Sequence, residues 1–222
     1  MKKILCVAPH PDDETLGCGG TLLKHKASGD KIYWLIMTNV SAENGFAPAV
    51  VARRQREIER VAKAFGFAKT FKLDFPTTQL DKVSKQKLIK ALGDVIHELK
   101  PEWIYVPGRY DAHSDHHATF TAVLSTVKTF RAPFVKKVLM YETISETEFA
   151  PLSVKTMFVP TNFSDISKYL QKKIIIMKMY RGEMKPHPFP RNPHNIRALA
   201  TFRGAMAGVK YAESFSVVKE IW

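Results

Sequence analysis

The chain of 222 residues predicts an α/β protein, a three-layer sandwich in which a mostly parallel sheet is flanked by helices. Three observations lead there. Short continuous apolar runs, at Ile4 to Ala8, Lys31 to Thr38 and Trp103 to Pro107, have the length of strands buried on both faces. Longer stretches with apolar residues at helical spacing lie between them, the alternation expected of right-handed crossover units. Two of the runs also stop abruptly in clusters of ionisable side chains, at the rim where open α/β sheets hold their ligands.

In order, the first strand ends at Pro9-His10-Pro11-Asp12-Asp13-Glu14, which leads through Gly17-Cys18-Gly19-Gly20, read as a tight turn, into a helix over Thr21 to Lys26. After the second strand, a polar loop from Asn39 through Gly45 and Pro48 is long enough to line a site. Ala49 to Phe65 carries Val50, Val51, Ile58, Val61 and Phe65 at helical spacing and stops at Gly66, a good C-cap. Thr70 to Asp74 reads as a third strand, Phe75 to Asp81 as a loop, and Ser84 to Leu99 as an amphipathic helix closed by Lys100-Pro101. The fourth strand, Trp103 to Pro107, runs into the polar segment Gly108 to His117 and then a helix through Val127. Lys137 to Glu142 and Thr156 to Val159 read as further strands, Ser164 to Met179 and Asn192 to Gly208 as helices, and the proline-rich Arg181 to Arg191 as a loop. No internal repeat or linker interrupts the pattern, so one domain is expected over residues 1–222.

A content of 45% hydrophobic and 25% charged residues describes a globular chain rather than a disordered one. No apolar run reaches the length of a membrane span, and the five-residue apolar stretch after the two N-terminal lysines does not read as a signal peptide. A cytoplasmic location is the expectation. Two cysteines, Cys6 and Cys18, make no disulfide framework; Cys18 is either a soft metal ligand or a small residue in its glycine-rich turn. The excess of 34 Lys and Arg over 21 Asp and Glu, a net charge of +13, attracts anions without choosing among nucleic acid, membrane surfaces and small phosphorylated or carboxylated molecules.

The chemistry concentrates in the two polar turns. His10 and Asp13 are three residues apart, so a chain that turns helical at Pro11 projects both to one side, where they can share a metal and leave Asp12 free to handle protons. Helix capping by an aspartate beside a rim histidine is the alternative. In the second turn His113 and His116 are also three apart, while His117 points about 100° away. That spacing favours His116 as the third ligand, His113 as a second functional imidazole and His117 as a bystander. Asp115 either orients a catalytic imidazole or supplies a charge at a helix N-terminus. Arg54, one turn into its helix, either reaches an anionic or hydroxyl-rich ligand or pairs with Glu57.

Together, PHPDDE at Pro9 to Glu14 and HSDH at His113 to His116 resemble the motifs of the PIG-L/LmbE-like de-N-acetylases, which remove acetyl groups from N-acetylglucosamine-type sugars. Arg54 and Glu57 ahead of Gly66, and Tyr211 to Phe215, extend the resemblance along nearly the whole chain. It implies a Rossmann-like sheet with the metal at the C-terminal edge of its strands. It further implies His10, Asp13 and His116 as zinc ligands, Asp12 as general base, His113 as the imidazole that steadies the oxyanion with Asp115 behind it, and Arg54 as a substrate-binding residue. Ser114 stands where proline is frequent, and the Pro188 to Arg191 segment departs from the pattern, which puts any role for His187 in doubt.

The expected function is therefore a metal-dependent hydrolase, with Zn2+ or Fe2+, acting on a small N-acetyl sugar or glycoconjugate. The positive charge favours an anionic one, and a homo-oligomer is compatible with all of this. Two other classes compete. A phosphoesterase needs more bridging carboxylates than the turns supply. A basic anion- or nucleic-acid-binding module lacks a recognisable motif or stacking ladder, so no nucleic-acid partner is expected.

Overall fold

The computed structural model describes residues 1–151 and 153–221. Strands and helices alternate as β1 (Lys3–Ala8), α1 (Asp13–Ala27), β2 (Lys31–Asn39), α2 (Pro48–Phe65), β3 (Lys69–Pro76), α3 (Lys85–Leu99), β4 (Trp103–Val106), α4 (Ser114–Thr126) and β5 (Lys137–Tyr141). The chain then continues through β6 (Asn162–Asp165), α5 (Leu170–Met177), α6 (Pro193–Ala207) and β7 (Ala212–Glu220). The seven strands form one sheet in the order β3-β2-β1-β4-β5-β7-β6. The first five are parallel, and β7 runs antiparallel to both of its neighbours.

Period-two alternation divides β1 between two cores. Ile4, Cys6 and Ala8 face a cluster that includes Leu22 of α1, Val61 of α2, Ile174 of α5 and Ile196 of α6. Leu5 and Val7 face Leu92 and Ile96 of α3 and Val123 of α4. Helices on both faces explain why the strands read as unbroken apolar runs, and they give the three layers expected.

The departures have local causes. Helix α1 begins at Asp13, not Thr21, and contains a kink at Cys18 (φ −141°, ψ 20°). The glycines around it make close packing possible rather than a turn. A Cβ on Gly17 would stand 2.2 Å from Tyr141 Cδ2, and one on Gly20 2.7 Å from Ile166 Cγ2. The kink breaks the helical ladder, and side chains from elsewhere satisfy the freed groups. Glu213 of β7 accepts from Gly20 N, Thr21 N and Thr21 Oγ1 at 2.8, 2.7 and 2.6 Å. Lys173 of α5 donates to Leu16 O at 2.8 Å and to Glu213 at 2.7 Å. Glu213 thus caps the second half of α1 from almost two hundred residues away. Thr156 to Val159 lies outside any strand, and Ser164, read as the start of a helix, lies in β6 instead. Strand β7 was not anticipated.

Candidate metal centre

In the sheet, β1 and β4 are neighbours, with Ile4 beside Trp103 and Cys6 beside Tyr105. From this pair the strand order runs outward in opposite directions, which makes it the switch point whose C-terminal crevice holds ligands in open α/β folds. The two polar turns follow these two strands, so segments a hundred residues apart open side by side.

His10, Asp13 and His116 converge there. Their ligating atoms all lie within 4.8 Å of one another. His10 Nδ1 and His116 Nε2 each stand 3.4 Å from Asp13 Oδ2. Metal–ligand bonds of 2.0–2.1 Å at a tetrahedral centre put neighbouring ligand atoms about 3.3–3.4 Å apart, so the spacing suits a zinc-sized ion. His116 Nε2 is buried and has no hydrogen-bond partner among the described residues, a costly condition unless a cation engages the lone pair. The electrostatics agree. Burial opposes charge on all three side chains, yet mutual attraction prevails: Asp13 is held well below the usual carboxylate range, His10 is raised to about 9 and His116 is raised well above its ordinary value. A field that draws protons onto two buried imidazoles draws a metal cation equally.

Carboxylates behind the two imidazoles fix their orientation. Asp111 Oδ2 accepts from His116 Nδ1 at 2.8 Å, which leaves Nε2 turned towards Asp13, and Thr147 Oγ1 anchors Asp111 Oδ1 at 2.8 Å. A Cβ on Gly108 would stand 2.1 Å from that Oδ1, so the glycine is what lets the carboxylate come this close. Asp115 was expected behind His113, but its carboxylate lies 2.9 Å from His10 Nε2 and accepts from Thr78 N and Leu80 N. This directs His10 Nδ1 to the ligand cluster and ties the loop after β3 to the site. The pairing of Asp115 with His113 runs through the backbone: Asp115 N donates to His113 Nδ1 at 3.1 Å. That contact puts the ring proton of His113 on Nε2, and burial together with His10 lowers its pKa. His113 therefore offers a donor as a neutral ring, and the protonated imidazole is not required.

Asp12 sits at the N-cap of α1 with φ 142°, a conformation that non-glycine residues rarely adopt, and its side chain makes no capping bond. Its carboxyl is raised well above its ordinary value by burial and by Asp13, and Arg191 works the other way with Nη1 3.4 Å from Oδ2. Arg54 lines the same cavity, but its guanidinium is engaged by Pro11 O at 3.3 Å, by Glu57 at 3.5 Å and by Glu183. His117 is exposed, and Cys18 Sγ faces Cys6 Sγ at 3.4 Å instead of the ligands. His187 is not among the cavity's lining residues. Asp111, Glu146, Glu183 and Arg191 were not singled out from the sequence. They come from loops without periodicity; only Asp111, inside the second motif, carried a local signal.

A protein-family model described as PIG-L, GlcNAc-PI de-N-acetylase, matches residues 5–127, which include both turns. The chain belongs to the PIG-L family. It is a hydrolase of this de-N-acetylase class, and the metal-dependent chemistry of the family fits the His/Asp cluster. Over 230 residues it is 27% identical to the diacetylchitobiose deacetylase of Thermococcus kodakarensis, covering 100% of this chain and 85% of that one. Among solved structures, a conserved protein of Thermus thermophilus is 26% identical with a TM-score of 0.77, covering 100% of this chain and 97% of that one. The 4-carboxy-2-hydroxymuconate hydratase of Pseudomonas putida shares the fold at 19% identity and a TM-score of 0.74, covering 100% and 98%.

Proposed function

We propose that this PIG-L protein is a zinc-dependent deacetylase acting on an uncharged N-acetylglucosamine-type sugar. The observation that carries the metal reading is the buried, unpartnered His116 Nε2 facing Asp13 and His10. These three residues would hold the ion. Two imidazoles and one carboxylate suit zinc, and the same set accommodates ferrous iron. When bound, the ion supplies Lewis acidity, bringing the pKa of a water towards ~7 and polarising the acetyl carbonyl.

The chain's own groups carry the protons. Asp12, beside the ligand cluster but turned towards Arg191, takes the proton of the attacking water. Burial raises its basicity and Arg191 moderates that rise, so the group both accepts a proton and returns one to the departing amine. His113 donates its Nε2–H to the oxygen that becomes negative. Asp115 acts by holding His10, and Arg54 by bracing the carbonyl of Pro11 beside the sugar.

The charge of the cavity supports an uncharged sugar. Its volume is about 330 Å3, and its lining carries Asp12, Asp13, Glu146 and Glu183 against Arg54 and Arg191. Four carboxylates and two guanidinium groups sum formally to −2, which a divalent ion brings to zero. The overall charge of +13 is therefore not concentrated at the reaction centre, and a neutral N-acetyl sugar fits better than the anionic conjugate expected from composition. The Thermococcus relative is named for diacetylchitobiose.

The test is primary-amine release by the zinc-loaded protein from N-acetylglucosamine, diacetylchitobiose and N-acetylglucosamine 6-phosphate, with chelator and Asp12→Asn controls. Turnover is expected on the neutral sugars, abolished by chelation and reduced about 10²–10⁴-fold in Asp12→Asn with zinc still bound. Amine release from none of them would refute the activity, and a preference for the phosphate would refute the charge argument.

A further inference from the structure

Away from the metal site, another cavity has a basic lining. This second cavity, of about 380 Å3, lies beside the last turns of α1 and is lined from the starts of β4 and β5 past Phe215 of β7 to Asn162, Phe163 and Ser164 of β6. Its lining carries Lys2, Lys24 and Lys137 against Asp30, formally +2 with His25 neutral. The lining acid is already engaged: Asp30 accepts from Lys2 N and from His25 Nδ1, both at 2.8 Å. Lys137 is engaged too, by Glu220 at 2.8 Å. Among the described residues neither Lys2 nor Lys24 forms an ion pair; Asp165 feels the charge of Lys24 without bonding to it.

The cavity is built rather than incidental. Lys2 Nζ and Lys137 Nζ converge on the Trp103 ring, 5.6 and 4.8 Å from its centroid. His25 meets the same ring edge-on at 5.3 Å and is fixed from both sides, by Asp30 and by the Tyr105 hydroxyl at 2.9 Å. Asn162 and Ser164 of β6 add short polar side chains to the wall, and Phe163 and Phe215 add apolar surface. Such a mixture of ammonium groups, small polar side chains and flat rings is what a small-molecule site requires.

We propose that this cavity binds the phosphoryl group of a small phosphorylated molecule. Two ammonium groups without carboxylate partners match a dianion, and a single carboxylate would leave one of them uncompensated. The three lysines come from separate segments, the approach to β1, α1 and β5, so their sharing one cavity lining is a property of the fold and not of a basic run in the sequence.

Calorimetric titration of the zinc-loaded protein with inorganic phosphate, at constant ionic strength, tests this. A saturable single site is expected, weakened at least tenfold in Lys2→Gln/Lys24→Gln and unchanged in Asp13→Asn, which disables the metal centre instead. Glucose 6-phosphate binding more tightly than phosphate would assign the site to sugar phosphates; equal binding would assign it to free phosphate. Lys24→Glu alone, a change on the partly exposed face of α1, is expected to abolish the heat. Absence of saturable binding, undiminished binding in Lys24→Glu, displacement by chloride, or loss confined to Asp13→Asn would each overturn the proposal.

Discussion

Asp111 touches none of the proposed reacting atoms, yet affinity for the proposed zinc ion is expected to depend on it. Its Oδ2 receives the Nδ1 proton of His116 at 2.8 Å, both groups are buried, and this bond keeps the lone pair of Nε2 facing Asp13. Asp111→Ala removes the acceptor and lets the ring exchange tautomers or rotate. Loss of an outer carboxylate of this kind costs about 10–100-fold in metal affinity, or about 1.4–2.7 kcal/mol. Asp111→Asn keeps an amide oxygen that can accept the same proton but loses the charge, so its loss falls at the lower end, about tenfold. Gly108→Ala supplies an independent perturbation. Its new Cβ would need the space of Asp111 Oδ1, 2.1 Å away, and so displaces the carboxylate without deleting it. Zinc affinity measured by competition with a chromogenic chelator should rank wild type above Asp111→Asn above Asp111→Ala, with Gly108→Ala near the last. If Asp111→Ala bound zinc within twofold of wild type, His116 Nε2 would not be a ligand oriented in this way.

Three further outcomes follow from the fold. Lys173→Met leaves Glu213 buried without its cation and should destabilise the protein by about 3–5 kcal/mol in urea unfolding, with partial recovery when Glu213→Gln is added. Gly17→Ala, which forces a methyl group into Tyr141, should cost about 1–3 kcal/mol or more in the same assay, whereas a tight-turn role for this glycine would give no dependence on Tyr141. Burial lowers the pKa of His25, so below about pH 6.5 the unfolded chain takes up a proton that the folded chain refuses. Stability should therefore fall as pH drops through that point towards the folded pKa, and this component should be absent in His25→Gln; identical pH profiles for the two proteins would refute it.

The parts of this architecture that a linear reading reached are those whose causes are local. Buried parallel strands announce themselves as apolar runs, and because each ligand-bearing turn is continuous with its strand, His10, Asp12, Asp13, His113 and His116 could be placed from the chain alone. What escaped is non-local. Strand β7 mixes Glu213, Ser214 and Ser216 with apolar residues, so nothing in the stretch itself shows that Glu213 is buried against the kink of α1. Arg191 and Glu183 reach the cavity from loops whose course is set by packing rather than by period. The resemblance implied Asp115 behind His113, whereas the turn carries its carboxylate across to His10, 2.9 Å from Nε2.

The fold by itself does not choose the reaction, since a hydratase is built on it too. The choice rests on where charge can go. Breaking an amide requires a nucleophile at neutral pH, a place for negative charge on oxygen and a proton for nitrogen, and the crevice provides candidates for each in Asp12, the Nε2–H of His113 and the His10, Asp13 and His116 cluster. The strained backbone at Asp12 bears on the same question. A φ of 142° at an aspartate is unfavourable, and the capping bond that would justify an aspartate there is missing. The conformation instead turns the carboxylate away from the helix amides and into the cavity beside Arg191, which suits the proton transfer proposed for it.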